Sequence, residues 1–166
     1  MAKYLIDDKT RLNPKRRFDD ILTSNLKETL IALPFEERAG FINNIFYQNQ
    51  DEKNIANLLF MTAEEAKIMA NSKMEIGAHG YSHLSLETLT PDKQREEIET
   101  GKKIIEEMIG VKPKIFSYPH GCANSDTLDI LRKNDFKFAL TIKPGDVTTE
   151  VDQLLMPRYD ANDIKI

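Results

Sequence analysis

His79, His83 and His120 are the chain's three histidines. Two of them stand four residues apart in the stretch EIGAHGYSHLSL, residues 75–86. On a helical turn, positions i and i+4 share one face, so two imidazoles at this spacing can converge on one ion. Zinc sites take histidine nitrogens, and a carboxylate and a water complete a catalytic sphere. A set of two histidines and one carboxylate also suits other divalent metals. Spacing alone leaves a second option open, that of two surface histidines adjacent by chance. The third, His120, sits in KIFSYPHGCAN, inside the turn Pro119-His120-Gly121. A Pro-X-Gly turn fixes the backbone and exposes the X amide, which can donate to a developing oxyanion. The His120 ring itself could act as an acid, a base or a wall. The single cysteine, Cys122, excludes an internal disulfide and a multi-cysteine zinc site. It reads as a small loop residue rather than a nucleophile.

The elements that must position these residues alternate from residue 73 onward. Met74 to Ala78 reads as a short buried strand that delivers His79 and His83. Thr90-Pro91 is a cap followed by proline at the first helical position. The helix it opens should run to about Ile109, with Ile98, Ile105, Met108 and Ile109 on one stripe and Gly110 as its stop. Ile115 to Tyr118 is a second strand, a helix opens at Ser125 or Asp126 and runs through Leu131, and Phe136 to Ile142 is a third strand. Leu154 to Met156, before Pro157, suggests a fourth. Strands alternating with helices imply parallel pairing through right-handed crossovers. Ligand sites in such sheets and barrels gather at the carboxyl ends of the strands. All three histidines fall there.

The first third differs in character. Residues 3–6 suggest a short strand or a helix end, and residues 9–17, with Pro14, suggest a loop. Ser24 or Asn25 is positioned to cap a helix over Leu26 to Leu33, closed by Pro34. Phe35 to Tyr47 carries apolar residues at helical spacing, at Phe35, Ala39, Ile42, Ile45 and Phe46. Thr62 with Glu65 forms a capping-box pattern for a helix from Ala63 to about Asn71. Residues 18–71 thus read as mostly helical.

The chain has 166 residues, 40% apolar and 30% charged, which fits one globular domain of ordinary size. A net charge of -4 argues against a broad nucleic-acid surface. The basic cluster Lys15-Arg16-Arg17 is followed by Asp19 and Asp20 and reads as a solvated face. No apolar run approaches the roughly 20 residues of a membrane helix. The stretch MAKYLIDDKT lacks the apolar core of a signal peptide. As written, the chain points to the cytoplasm, a reading that lapses if the true start lies upstream.

The stretch from Met74 to Gly121, MEIGAHGYSH through FSYPHG, resembles the polysaccharide deacetylases of carbohydrate esterase family 4. In that family a histidine, a Ser or Thr, and a second histidine or aspartate follow a Glu-Ile/Val-Gly/Ala strand. Here EIGAHGYSH matches, except that Gly80 stands where the family has Ser or Thr. Phe116-Ser117-Tyr118-Pro119-His120-Gly121 is similar to the family's F-x-Y-P-x-G form. DTLDILRKNDFKFALT looks like the helix and strand that follow there, and LLMPRYD, with Pro157 and Arg158, is similar to a late strand-end motif. The resemblance covers about residues 58–162.

It implies an α/β fold, a partial or deformed (β/α) barrel of the deacetylase type, with a helical segment in the N-terminal third. It implies a divalent metal, zinc first and cobalt or nickel as alternatives, on His79 and His83. The reaction would be hydrolysis of an acetyl group on a sugar or amino sugar, the metal polarising the carbonyl and acidifying water. The His120 N–H maps onto the oxyanion donor, and Tyr118, Pro119, Gly121 and Arg158 map onto the substrate wall.

The family's first motif, T-F-D-D-G, supplies a catalytic base and the metal-binding aspartate. Asp7-Asp8 is followed by Lys9 and Asp19-Asp20 by Ile21, so neither pair keeps the glycine, and the metal carboxylate stays unassigned. The family's arginine in the third motif is Ser117 here, and its late Leu-x-His has no counterpart. The expectation is one incomplete deacetylase-like domain over 1–166, with an insertion-like helical segment at 18–71 and βα repeats at 73–162. On this view the chain starts after the first one or two strands of a longer enzyme or of a truncated reading frame. Exposed sheet edges would then invite a homodimer or a strand-completing partner. Two functions stay open: a metal-dependent deacetylase of acetylated carbohydrate, and a non-catalytic remnant that binds glycan or a partner chain.

Overall fold

The computed structural model describes residues 6–14, 16, 18–49 and 51–161. The chain divides into two compact units, Met1–Phe60 and Met61–Ile166. The strand or helix end expected over residues 3–6 falls outside the described residues except for Ile6.

The first unit is helical: α1 (Ile21–Ala32), α2 (Phe35–Asn49) and α3 (Glu52–Leu59). The expected cap is corrected. Helix α1 starts before Ser24 and Asn25, because the Asp20 carboxylate accepts the Thr23 N–H at 2.9 Å. Asn25 is instead buried and pins the preceding loop. Its amide nitrogen donates to the carbonyls of Asp7 and Thr10, both at 2.7 Å, and its amide oxygen accepts the Leu12 N–H at 2.8 Å. Arg16, from the basic cluster, pairs with Glu28 and Asp19. Helix α2 follows Pro34 as expected; of its apolar stripe, Ala39 and Phe46 are half-buried and Phe35, Ile42 and Ile45 are exposed.

In the second unit, α4 (Ala63–Asn71) opens on the expected capping box, with Thr62 and Glu65 each bonding the other's backbone N–H. Helix α5 (Pro91–Ile109) has Thr90 at its cap, Pro91 at its first position and Gly110 at its left-handed stop, with φ 76°. Helix α6 (Ser125–Lys133) opens at Ser125, one of the two expected starts, and is capped by Asn124 through a reciprocal pair with Thr127.

Two parallel strands, β1 (Ile115–Ser117) and β2 (Phe138–Leu140), pair with Phe116 opposite Ala139. Ala78 bridges to Phe116 on one side and Met156 to Leu140 on the other, both parallel. The four strands expected from residue 74 onward are therefore present as places in one parallel array, but shorter than the sequence suggests. Met74 to Ala78 is reduced to Ala78, and Leu154 to Met156 to Met156. Met74 is exposed rather than buried. At Met74 and Phe136 the shortening follows from how the preceding helices close. After α4, Lys73 turns left-handed at φ 66° and the Met74 N–H reaches back to the Met69 carbonyl. After α6, Asp135 does the same at φ 63° and the Phe136 N–H bonds the Leu131 carbonyl. These closing turns consume N–H groups that an earlier strand start would need. Ala78, Leu86, Ile98, Phe116, Tyr118, Leu131, Phe136 and Ala139 form the core between the array and helices α5 and α6.

Candidate functional site

His79 follows directly on Ala78, whose N–H donates to the Ile115 carbonyl and whose carbonyl accepts the Ser117 N–H, both at 2.8 Å. The array thus fixes the backbone that carries the first histidine. The His79 Nδ1 lies 2.6 Å from the Ser117 carbonyl oxygen. A carbonyl can only accept, so Nδ1 carries a proton and Nε2 is the ring nitrogen left to face an ion. Histidines that bind metals commonly hold the second ring N–H on a backbone carbonyl in this way.

The two histidines do not share a helical face. Residues 79–84 form no helix. They run as a loop with Gly80 at φ 80° and His83 at φ 58°, both left-handed. The loop nevertheless brings the rings together, with centroids 4.8 Å apart and planes at 69°. At that separation one ion can reach a nitrogen of each ring. Burial first, then the neighbouring His79 and His120 rings, hold the His83 imidazole below its ordinary pKa. The shift favours the neutral imidazole, the form a metal requires.

His120 joins the same cluster. Its ring centroid lies 4.9 Å from that of His83, edge-on at 74°. The Pro119–Gly121 turn runs with His120 at φ 57° and Gly121 at φ 74°. Its hydrogen bonds go from the Gly121 N–H to the Tyr118 carbonyl and from the Cys122 N–H to the Pro119 carbonyl. Neither uses the His120 N–H. A side chain at Gly121 would meet Ile142 atoms at 2.3 to 2.9 Å, so the position excludes one on space as well as on backbone geometry.

The remaining expected residues are distributed around this turn. Tyr118 is buried, and its hydroxyl donates to the Leu154 carbonyl at 2.6 Å. Burial pushes its phenol well above the ordinary range. Pro119 is buried too. Arg158 is exposed, and its Nε donates to the Thr141 carbonyl at 2.9 Å. Burial, then the Glu87 carboxylate beside it, raise the Cys122 thiol, which disfavours a thiolate there.

The aspartate pairs belong to the first unit and have local partners. Asp7 accepts the Lys9 N–H, Asp19 pairs with Lys27 at 2.8 Å, and Asp20 caps α1. Among the described residues, no group of three or more His, Cys, Asp or Glu side chains is disposed to hold a metal ion.

Glu97 and Gly101, on α5, also shape the site and escaped the motif reading. Glu97 is buried, and its Oε2 accepts the Tyr81 N–H at 3.2 Å and the Ser82 N–H at 2.7 Å. A Cβ on Gly101 would stand 2.6 Å from the Gly80 carbonyl oxygen. The available signal was a glutamate and a glycine four apart, on the helix face that also buries Gln94 and Ile98.

Comparison with known proteins gives a consistent picture. A polysaccharide deacetylase family model matches residues 18–139. The polysaccharide-deacetylase-like protein YxkH of Bacillus subtilis is 33% identical over 128 residues, which is 77% of this chain and 44% of that protein. Among solved structures, the Streptococcus pyogenes deacetylase PplD, in complex with acetate, superposes with a TM-score of 0.58 at 25% identity. That match covers 60% of this chain and 44% of PplD. A polysaccharide deacetylase from Bacillus cereus gives a TM-score of 0.53 at 27% identity, covering 60% of this chain and 32% of the other. The chain thus spans less than half the length of each of these relatives.

Proposed function

The chain belongs to the polysaccharide deacetylase family, and from that premise we propose that it carries the two-histidine part of a metal site for removing acetyl groups from the sugars of a glycan. The observation that carries this reading is the facing pair of rings, His79 and His83, at the carboxyl end of a parallel array, with the His79 Nε2 left free by its Nδ1 bond to Ser117. Acetate bound to PplD, a relative of similar fold, fits an acetylated substrate here.

On this reading His79 and His83 hold a divalent cation, zinc first, with cobalt and nickel as alternatives. When bound, such an ion supplies Lewis-acid polarisation of the acetyl carbonyl and lowers the pKa of water. The chain's own residues do the rest. The His120 N–H, left out of the turn's own hydrogen bonds, donates to the oxygen that gains charge as the carbonyl is attacked. Tyr118 and Pro119 act from beneath by fixing the turn, and Gly121 lets it close against Ile142. Arg158, anchored through Nε, keeps its terminal nitrogens for sugar hydroxyls.

The third ligand, a carboxylate, has no candidate beside the histidines among the described residues. Residues 73–162 are then the βα repeats that carry the motif residues, and 18–71 a helical segment inserted ahead of them. Ala78 and Met156 each join the array by a single bridge, so its edges suit a strand-completing partner or a second copy.

With no carboxylate beside the two rings among the described residues, a second reading stays open, a non-catalytic form that binds glycan or a partner chain. One assay separates the two: acetate release from acetylated chitooligosaccharides with zinc, cobalt or nickel added. Metal-dependent release that disappears in the double variant His79→Ala, His83→Ala is the expected result. Metal uptake without acetate release under all three metals selects the non-catalytic reading instead.

A further inference from the structure

We propose that Glu97 is a positioning residue for the two-histidine site, its buried carboxylate holding the Gly80–Ser82 loop in the course that turns His83 toward His79. The inference rests on the reading that these histidines bind a divalent ion.

Three residues separate the two rings. Gly80 brings no side chain with which to brace the loop, and its φ of 80° is one that other residues resist. The Tyr81 ring is exposed. The described grip on this segment comes from α5. The N–H groups of Tyr81 and Ser82 both converge on one carboxylate oxygen of Glu97, at 3.2 and 2.7 Å. Two N–H donors on one buried anionic oxygen are charge-assisted bonds and stronger than bonds to a neutral amide. One turn further along α5, Gly101 lets the Gly80 carbonyl approach so closely that a Cβ would lie 2.6 Å from it. The loop is thereby fixed at two points, at Ala78 in the array and at Tyr81-Ser82 on Glu97. Between and beyond them the chain has little freedom, and His83 takes its left-handed φ of 58°. A left-handed non-glycine residue persists where its surroundings over-determine it, and such positions cluster at functional sites. Releasing Tyr81 and Ser82 would let His83 relax and part the rings. Glu97 touches neither histidine ring in this account. It acts through the loop.

The test is a calorimetric titration of Co2+ into four versions of the full chain: native, His79→Ala with His83→Ala, Glu97→Gln and Glu97→Ala. It is run at a temperature where far-ultraviolet dichroism finds each metal-free protein folded, so that a general loss of stability leaves the dissociation constant unmoved. The expected result is native binding, no binding in the double histidine variant, and affinity weakened about tenfold or more in both Glu97 variants. The visible absorption of bound Co2+ should change with them. Native-like affinity in Glu97→Gln and Glu97→Ala, within about twofold, overturns the proposal while leaving the two-histidine reading intact. No binding by the native chain, or unchanged binding in the double variant, overturns that reading and the proposal with it. Should the Glu97 variants not fold, amide exchange in the native metal-free chain decides. Protected Tyr81 and Ser82 amides support the brace, and amides exchanging at the rate of an open loop overturn it.

Discussion

His83 is a site residue whose chemistry the fold alters. Its imidazole is held below its ordinary pKa of 6.5 by burial and by two neighbouring rings. Unfolding restores the ordinary value, so the unfolded chain takes up the proton more readily than the folded one. The folded state accordingly loses stability as pH falls through 6.5 toward the lower folded value, and is unaffected above that window. For metal-free protein, the shift in urea midpoint between about pH 7.5 and pH 5.5 should be larger in the native chain than in His83→Asn. An equal shift in both contradicts the assignment. At this scale the sequence was informative where a residue type carries the chemistry. His79, His83 and His120 could be paired as a cluster from their places after strands. It was silent on Glu97, because a glutamate on a charged helix reads as solvated until a partner strand of backbone is seen to cover it. It was also misleading on the manner of convergence. Spacing of four suggests a helical face, whereas a glycine-hinged loop does the work.

Among the elements, α5 ties core to site. One face buries Ile98 in the core beside the array, and the same face presents Glu97 and Gly101 to the histidine loop. Gly101→Ala should therefore be costly despite alanine's helix propensity. The Cβ would press on a backbone oxygen at 2.6 Å, not on a side chain that can move away. The close approach costs ~1–3 kcal/mol, which outweighs a propensity gain of up to ~1 kcal/mol. Gly40, exposed on α2 with nothing within 4 Å of a Cβ, makes the control. Gly40→Ala should stabilise by roughly 0.5–1 kcal/mol. Thermal unfolding of the two variants checks both signs, and a Gly101→Ala chain as stable as the parent contradicts the close approach. Several helix ends were legible because their signals are local: the Thr62–Glu65 box, proline at the first position of α5, and Gly110 at its left-handed stop. Strands were legible as places but not as lengths. Whether Met74 or Phe136 joins a strand depends on how the preceding helix ends, and Lys73 and Asp135 do not announce a left-handed turn as a glycine would.

Across the whole molecule, the family match covers 122 of 166 residues, counted from 18 to 139. The chain covers under half of the relatives it resembles. What it holds of the shared fold is the part that positions two histidines and the Pro-His-Gly turn. What the motif reading left unassigned, the metal carboxylate, has no candidate beside those histidines among the described residues either. Metal held jointly by His79 and His83 would be seen in an anomalous difference map from crystals soaked in zinc. One strong peak is expected within about 2.0–2.1 Å of the His79 Nε2 and of a His83 ring nitrogen. Zinc bound elsewhere, with neither ring as a ligand, would contradict it.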